Sequence, residues 1–188
     1  IETMGLTETG AQILSNPLPP EIRKIGSPGI AYGNEIMVGD EKQNPVATNE
    51  EGEILVRGSN VMQGYLDRPE ETAKTITAEG WLRTGDLGRM DEDGFVFVTG
   101  RIKELIIKGG ENIAPREVDE ALLEHNAVLE AAAFPRTCKD YGQRVEACVC
   151  LKKGHNADEN ELREFCKNLI GAYKTPDRIY FLDDLPKG

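Results

Sequence analysis

The chain has 188 residues, 39% of them hydrophobic, enough for one domain or two small ones around a real core. Its 33 acidic and 22 basic residues give a net charge of −11, a surface that repels phosphate backbones and argues against a nucleic-acid partner, though basic groups can still converge on a small anion. No apolar run reaches 18 residues and no signal-peptide pattern is visible, so no membrane span is expected.

The chain opens at Ile1 within sequence that reads as structured, so the natural N-terminus is expected upstream. From about Ile30 to Gly100 the pattern is short strands separated by Gly-rich turns. Residues 35–38, 53–57 and 95–98 read as strands, and 69–77 as a short helix with Pro69 in its first turn. The acidic run Asp91-Glu92-Asp93-Gly94 lacks the spaced oxygens and distal Glu of a calcium loop and reads as a hairpin turn.

After Gly100 helices and strands alternate. Residues 105–107 form a short strand, 115–124 a helix, and 127–134 and 145–151 strands. A helix starts at Asp158, with Glu161 completing a capping-box pattern. It places Leu162, Phe165, Cys166, Leu169 and Ile170 on one face. Pro176 breaks the chain, and 178–182 is a last strand. The domain boundary therefore falls near Gly100-Arg101, with no internal repeats on either side. None of the four cysteines forms a CxxC pair, and His125 and His155 complete no metal-ligand spacing, so buried free thiols and a cytoplasmic setting are expected. Cys148 and Cys150, two apart, share one strand face.

Four clusters carry chemistry. In Met4-Gly5-Leu6-Thr7-Glu8-Thr9-Gly10, hydroxyls and a carboxylate sit among glycines that permit close backbone approach, a set able to hold a phosphate and a magnesium ion. In Gly80-Trp81-Leu82-Arg83-Thr84-Gly85-Asp86-Leu87-Gly88, Asp86 opens a strand and offers two acceptor oxygens that match adjacent ribose hydroxyls. From Gly100 to Asp119, the cations Arg101, Lys103 and Lys108 bracket a strand, and Gly109-Gly110 leads into a helix begun by Pro115. The fourth is Leu185-Pro186-Lys187-Gly188.

In this order and spacing the clusters resemble the adenylate-forming superfamily of acyl-CoA synthetases, adenylation domains and firefly luciferase, over essentially the whole chain. The first is similar to the family's Tyr-Gly-x-Thr-Glu motif, with Met4 in the aromatic position. The second resembles its Thr-Gly-Asp motif and the third its hinge and CoA-loop motif. Gly109-Gly110-Glu111-Asn112-Ile113 followed by Pro115-Arg116-Glu117-Val118 is similar to the CoA-ligase form, and the stretch Arg101–Glu111, with Phe165-Cys166-Lys167 and Leu185-Pro186-Lys187, resembles the fatty-acyl and oxalate CoA ligases.

The resemblance implies a fold of α/β and α+β class: residues 1–100 as the β-rich end of a large AMP-binding domain, and 101–188 as a small, mobile α+β C-terminal domain. It implies an ATP-dependent carboxylic acid–CoA ligase, acting on a fatty-acyl or other small or medium acid, with ATP/AMP, Mg2+ and coenzyme A as cofactors. A carboxylate first attacks the α-phosphate of ATP, and CoA thiolate then displaces AMP. Thr7 would bond the α-phosphate, Glu8 hold the magnesium, Asp86 hold the ribose and Arg101 reinforce that grip. Lys103 matches the hinge, Gly109 and Gly110 would line the CoA tunnel, Lys108 would assist CoA or adenylate binding, and Gly5 and Leu6 would border the adenine or acyl pocket. The family's phosphate loop is expected upstream of Ile1 and its catalytic Lys beyond Gly188, Lys187 belonging to the preceding turn. The isolated chain is therefore expected to be inactive. Two alternatives remain at this stage: an adenylation domain that loads a carrier protein, and a non-catalytic interaction module of the same fold.

Overall fold

The computed structural model describes residues 2–10, 12–19 and 21–186; Lys187 and Gly188, the end of the fourth cluster, lie outside them. Contacts divide the chain into two compact units, Ile1–Ile102 and Lys103–Gly188. The division falls beyond the Gly100-Arg101 boundary read from the sequence, because a strand that pairs within the first unit continues through Arg101.

The first unit holds two antiparallel sheets. Strands β1 (Thr3–Gly5), β2 (Gln12–Ser15) and β3 (Ile30–Ala31) form one in that order. Strands β4 (Glu35–Gly39), β5 (Gly52–Arg57), β6 (Leu82–Met90) and β7 (Val96–Arg101) form the other, with helix α1 (Pro69–Thr75) between β5 and β6 in the chain. Ile13, Leu14, Ile54, Val56 and Val96 form the core that the two sheets share. A bridge from Gly29 to Val96 and a 2.6 Å bond from Ser27 Oγ to the Val96 carbonyl stitch the sheets together. Gly29 is obligatory there: at φ +110° a Cβ would lie 2.0 Å from the Ser15 backbone.

The acidic run at 91–94 is the β6–β7 turn. Asp91 Oδ1 accepts the N–H groups of Asp93 and Phe95 (3.0 and 2.9 Å), and Gly94 takes φ +82°. Its charge is met by Lys24, whose Nζ lies 2.5 Å from Asp91 and 2.7 Å from Asp93.

In the second unit β8 (Ile106–Lys108) and β9 (Glu111–Ile113) form a small hairpin, followed by α2 (Pro115–Leu123), β10 (Val128–Cys138), β11 (Gly142–Leu151), α3 (Glu159–Lys174) and β12 (Arg178–Phe181). The long hairpin β10–β11 is the spine; β12 runs parallel to β11, and β8 meets the start of β11 at Gly142. Val118 and Leu122 of α2 and Leu162 and Cys166 of α3 pack with Val145, Ala147, Val149 and Ile179 in one core. Asp158 caps α3 by accepting the Glu161 N–H at 2.9 Å, as the capping pattern requires. The apolar stripe of α3 is narrower than its spacing predicts. Phe165 packs edge-on against His125 at 4.9 Å, and Leu169 is 47% exposed, shortly before Gly171 leaves helical geometry at φ +82°. The cysteines are free, and burial pushes the Cys166 thiol up to about 11, so it stays protonated at neutral pH. No helix among the described residues is long and apolar enough to cross a membrane.

Asp119 of α2 accepts the Ala133 N–H of β10 at 2.5 Å, and desolvation raises its carboxyl from 3.8 to about 6. The fold thus favours the protonated acid. That contribution is full below about pH 4 and is lost as pH rises through about 6. The Asp119→Asn variant keeps an acceptor oxygen but cannot ionise. Thermal unfolding followed between pH 4 and 7 should show wild type losing stability relative to the variant as pH rises; parallel curves would contradict this.

Candidate functional site

In the first unit, β1 ends at Gly5 and Thr7–Thr9 form a single 3-10 turn. Thr9, 1% exposed, fixes the turn by donating its hydroxyl to the Leu6 carbonyl at 3.0 Å and accepting the Leu6 N–H at 3.2 Å. Gly10 closes it at φ +69°. Leu6 and Met4, both partly buried, pack against the core of the first unit. Thr7 is exposed at the tip of the turn, its carbonyl accepting the Gly10 N–H at 3.2 Å. Glu8 is held twice: its carbonyl accepts the Met62 N–H at 2.8 Å, and its Oε1 accepts the Tyr65 hydroxyl at 2.9 Å. Tyr65 is in turn held by Thr72 of α1, whose Oγ1 accepts the Tyr65 N–H at 2.9 Å. Donation to the Glu8 carboxylate pushes the Tyr65 phenol above its ordinary value.

In the same unit, Asn60 Oδ1 is a buried acceptor with no hydrogen-bond partner among the described residues. The Tyr65 bond occupies only Oε1 of Glu8, and the second carboxylate oxygen is what magnesium shared with phosphate oxygens requires. Among the described residues no group of three His, Cys, Asp or Glu could hold a metal by itself.

Asp86 does not open a strand; it lies in the middle of β6. The glycine before it marks a bulge rather than a strand end. β6 pairs with β5 on both sides of a register shift, Leu55 opposite Arg83 and Glu53 opposite Leu87. Gly85 supplies the bulge with φ +74°. Glu53, 7% exposed, holds it open, accepting the Gly85 N–H at 3.0 Å and a salt bridge from Arg83 at 2.8 Å. Thr84 donates to the Ile54 carbonyl at 2.7 Å and accepts the Asp86 N–H at 3.0 Å. Asp86 is thereby 5% exposed and paired across the strands with Arg101, whose Nε donates to Oδ1 at 2.7 Å.

In the second unit Lys103 is exposed in a 3-10 turn, Ile102–Glu104. Gly109 and Gly110 form the β8–β9 turn at φ +56° and +91°. The two differ. A Cβ on Gly109 would lie 3.0 Å from the Tyr173 hydroxyl and 3.2 Å from the Tyr141 ring, whereas Gly110 faces open space. Lys108 is turned into the second unit. It is 7% exposed, and its Nζ bonds the Tyr173 carbonyl at 2.9 Å with Asp177 at 3.8 Å, so its charge is committed inside the unit.

The structure thus brings Asp86 to Arg101, and binds Glu8 to a residue the motifs did not single out, Tyr65. Glu53, Thr84 and Tyr173 also escaped as supporting residues. Tyr65 follows Gly64 just ahead of the Pro69 helix start, a weak signal; Glu53 and Tyr173 sit in ordinary strand and helix patterns that mark nothing.

Residues 1–66 match the AMP-binding enzyme family and 117–188 the AMP-binding enzyme C-terminal domain. The chain belongs to the AMP-binding enzymes, in keeping with its β-rich and α+β units. It is 49% identical to the sulfoacetate–CoA ligase of Cupriavidus necator, over 100% of this chain and 37% of that protein. It is 45% identical to the 2-succinylbenzoate–CoA ligase of Geobacillus kaustophilus, over 99% of this chain and 38% of that one. The crystal structure of ATP-bound MatB from Rhodopseudomonas palustris superposes with a TM-score of 0.91 at 35% identity, over 98% of this chain and 37% of that one. The chain therefore spans little more than a third of the length of these relatives.

Replacing Glu53 with Ala strands Arg83 and the Gly85 N–H together. Urea unfolding should show a loss of about 2 kcal/mol, with Glu53→Gln losing less because its carbonyl oxygen still accepts.

Proposed function

We propose that this chain is the part of an AMP-forming acid–CoA ligase that grips the nucleotide and admits CoA, in a protein that forms an acyl-adenylate and then an acyl-CoA thioester. The observation that carries the reading is the Asp86–Arg101 pair: a buried carboxylate with Oδ1 fixed at 2.7 Å, leaving acceptor capacity at Oδ2 for vicinal hydroxyls. Such a group selects a ribose, because each hydroxyl needs an acceptor once water is excluded.

The first step sets one anion against another, so positioning and charge neutralisation dominate. Thr7, exposed at its tight turn, donates to the α-phosphate. Glu8, aimed by Tyr65, is the protein oxygen for magnesium, which offsets phosphate charge when bound. Asp86 and Arg101 anchor the ribose, and the backbone of Gly5 and Leu6 borders the adenine or acyl pocket. Lys103 serves as the hinge: it is solvated and sits in a short turn that can absorb a dihedral change. Gly110, facing open space, borders the path of the CoA arm.

The relatives compared are CoA ligases, which favours CoA over a carrier protein as acceptor and catalysis over a purely structural module. They act on sulfoacetate and 2-succinylbenzoate, acids with a second anionic group, and lend no support to the fatty-acyl substrate that the motifs suggested. We assign a small or medium polar acid instead. The remaining two thirds of the relatives' length is required for turnover in this reading, so the 188-residue chain alone is inactive.

In the full-length ligase, Asp86→Ala should slow ATP–pyrophosphate exchange roughly 5- to 150-fold, the cost of about 1–3 kcal/mol for an unpaired buried donor. Unchanged exchange would remove the ribose role. The 188-residue chain incubated with ATP, magnesium, CoA and a carboxylate panel should give no acyl-CoA by chromatography; clear thioester formation would overturn its inactivity.

A further inference from the structure

The second unit contains a reciprocal contact that the adenylation and thioester steps leave unused. The Tyr173 hydroxyl donates to the Lys108 carbonyl, and the Lys108 amine donates back to the Tyr173 carbonyl at 2.9 Å. The two residues are 65 positions apart, so this pair of bonds ties the end of α3 to the residue immediately before Gly109. The amine also lies 5.1 Å from the Tyr173 ring centre, adding a cation–π contact.

The other side of the turn is held just as closely. The Tyr141 carbonyl accepts the Gly109 N–H at 2.9 Å, and Gln143 Oε1 accepts the Ile107 N–H at 2.7 Å. Gly109 is thus seated between two phenol rings, while Gly110 carries the open edge. Tyr173 itself is fixed from behind. Gly171 kinks α3 at φ +82°, Thr175 Oγ1 donates to the Gly171 carbonyl at 2.8 Å, and Lys174 pairs with Glu117 of α2 at 2.6 Å. A group anchored on one side by a helix kink and an ion pair can set the place of a two-glycine turn that has no side chains of its own to hold it.

We propose that Tyr173 is a positioning residue for the Gly109–Gly110 turn, acting through its reciprocal pair with Lys108 to hold the open edge at Gly110 in one place for the pantetheine arm of CoA. The CoA part rests on the functional reading above; the positioning part rests on the geometry of the second unit alone.

The two are separable by experiment. In the 188-residue chain, Tyr173→Phe keeps the ring and removes the hydroxyl. Backbone hydrogen exchange of residues 107–110 should accelerate about fivefold, the loss of one hydrogen bond of about 1 kcal/mol, while the amides of α2 are unchanged. Unaltered exchange at 107–110 would overturn the positioning role, and acceleration spread across α2 would show a merely structural one and overturn it as well. In the full-length ligase, Tyr173→Phe should raise the KM for CoA about fivefold while ATP–pyrophosphate exchange stays within about twofold, because adenylate formation does not involve the turn. Gly110→Ala, which removes no atom of the Tyr173–Lys108 pair but places a side chain at φ +91°, should also raise the CoA KM. If exchange at the turn quickens but neither variant moves the CoA KM, the positioning role stands and the assignment of CoA to this turn falls.

Discussion

Asp86 sits where two distorted strand pairings of the first unit meet. β5 and β6 pair in one register near Arg83 and another near Leu87, and Glu53 is the buried acid that holds the shift open from the opposite strand. The shift is of two residues, so the strand keeps its alternation of faces on either side while three residues of β6, Thr84 to Asp86, stand opposite Ile54. A second shift, of one residue, lies between β6 and β7 at Leu87/Gly88, directly beside the pairing of Asp86 with Arg101. The fold carries a buried acid, Glu53, to aim a second one, Asp86.

The Thr7–Glu8 turn follows the same logic with weaker materials. Thr9 closes the turn by two bonds to one residue, leaving Thr7 outward. Tyr65 then fixes one carboxylate oxygen of Glu8, and Thr72 fixes Tyr65. Each position that faces the ligand in the proposed reading is thus supported by a group that makes no claim on the ligand itself, which is how a site is kept in place when its own residues sit on turns. In the proposed reading, a chain with a net charge of −11 handles phosphate through the local set of donors and a cation brought with the nucleotide.

The second unit is built on a different compromise. Its turn uses two glycines for left-handed backbone, yet glycine surrenders the side chains that would locate it. Location comes instead from Tyr173, Tyr141 and the internally committed Lys108. Lys108 illustrates how a charged residue in a basic motif can be drawn inward: burial to 7% exposure is tolerated because a carbonyl and Asp177 face the amine.

Much of this was legible in the order of residues. Helix starts at Pro69, Pro115 and Asp158, the acidic hairpin turn and the β-rich stretches follow from local rules in which each residue's preference agrees with its neighbours'. The motif clusters also set out the chemistry on offer, since carboxylate, hydroxyl and glycine have fixed bonding capacities wherever they stand. Three things came only from tertiary structure. Asp86 lies inside a strand because Glu53, 32 positions before the Gly85 N–H it accepts, props open a bulge that no local pattern announces. Leu169 is exposed although its spacing is apolar, while its neighbour Ile170 is the residue that packs against the core. Lys108 is internal because Tyr173 closes over it from 65 positions away. Sequence determines what each residue can bond and which short segments form by themselves; which of those bonds are made depends on partners far along the chain, and only the folded packing decides them.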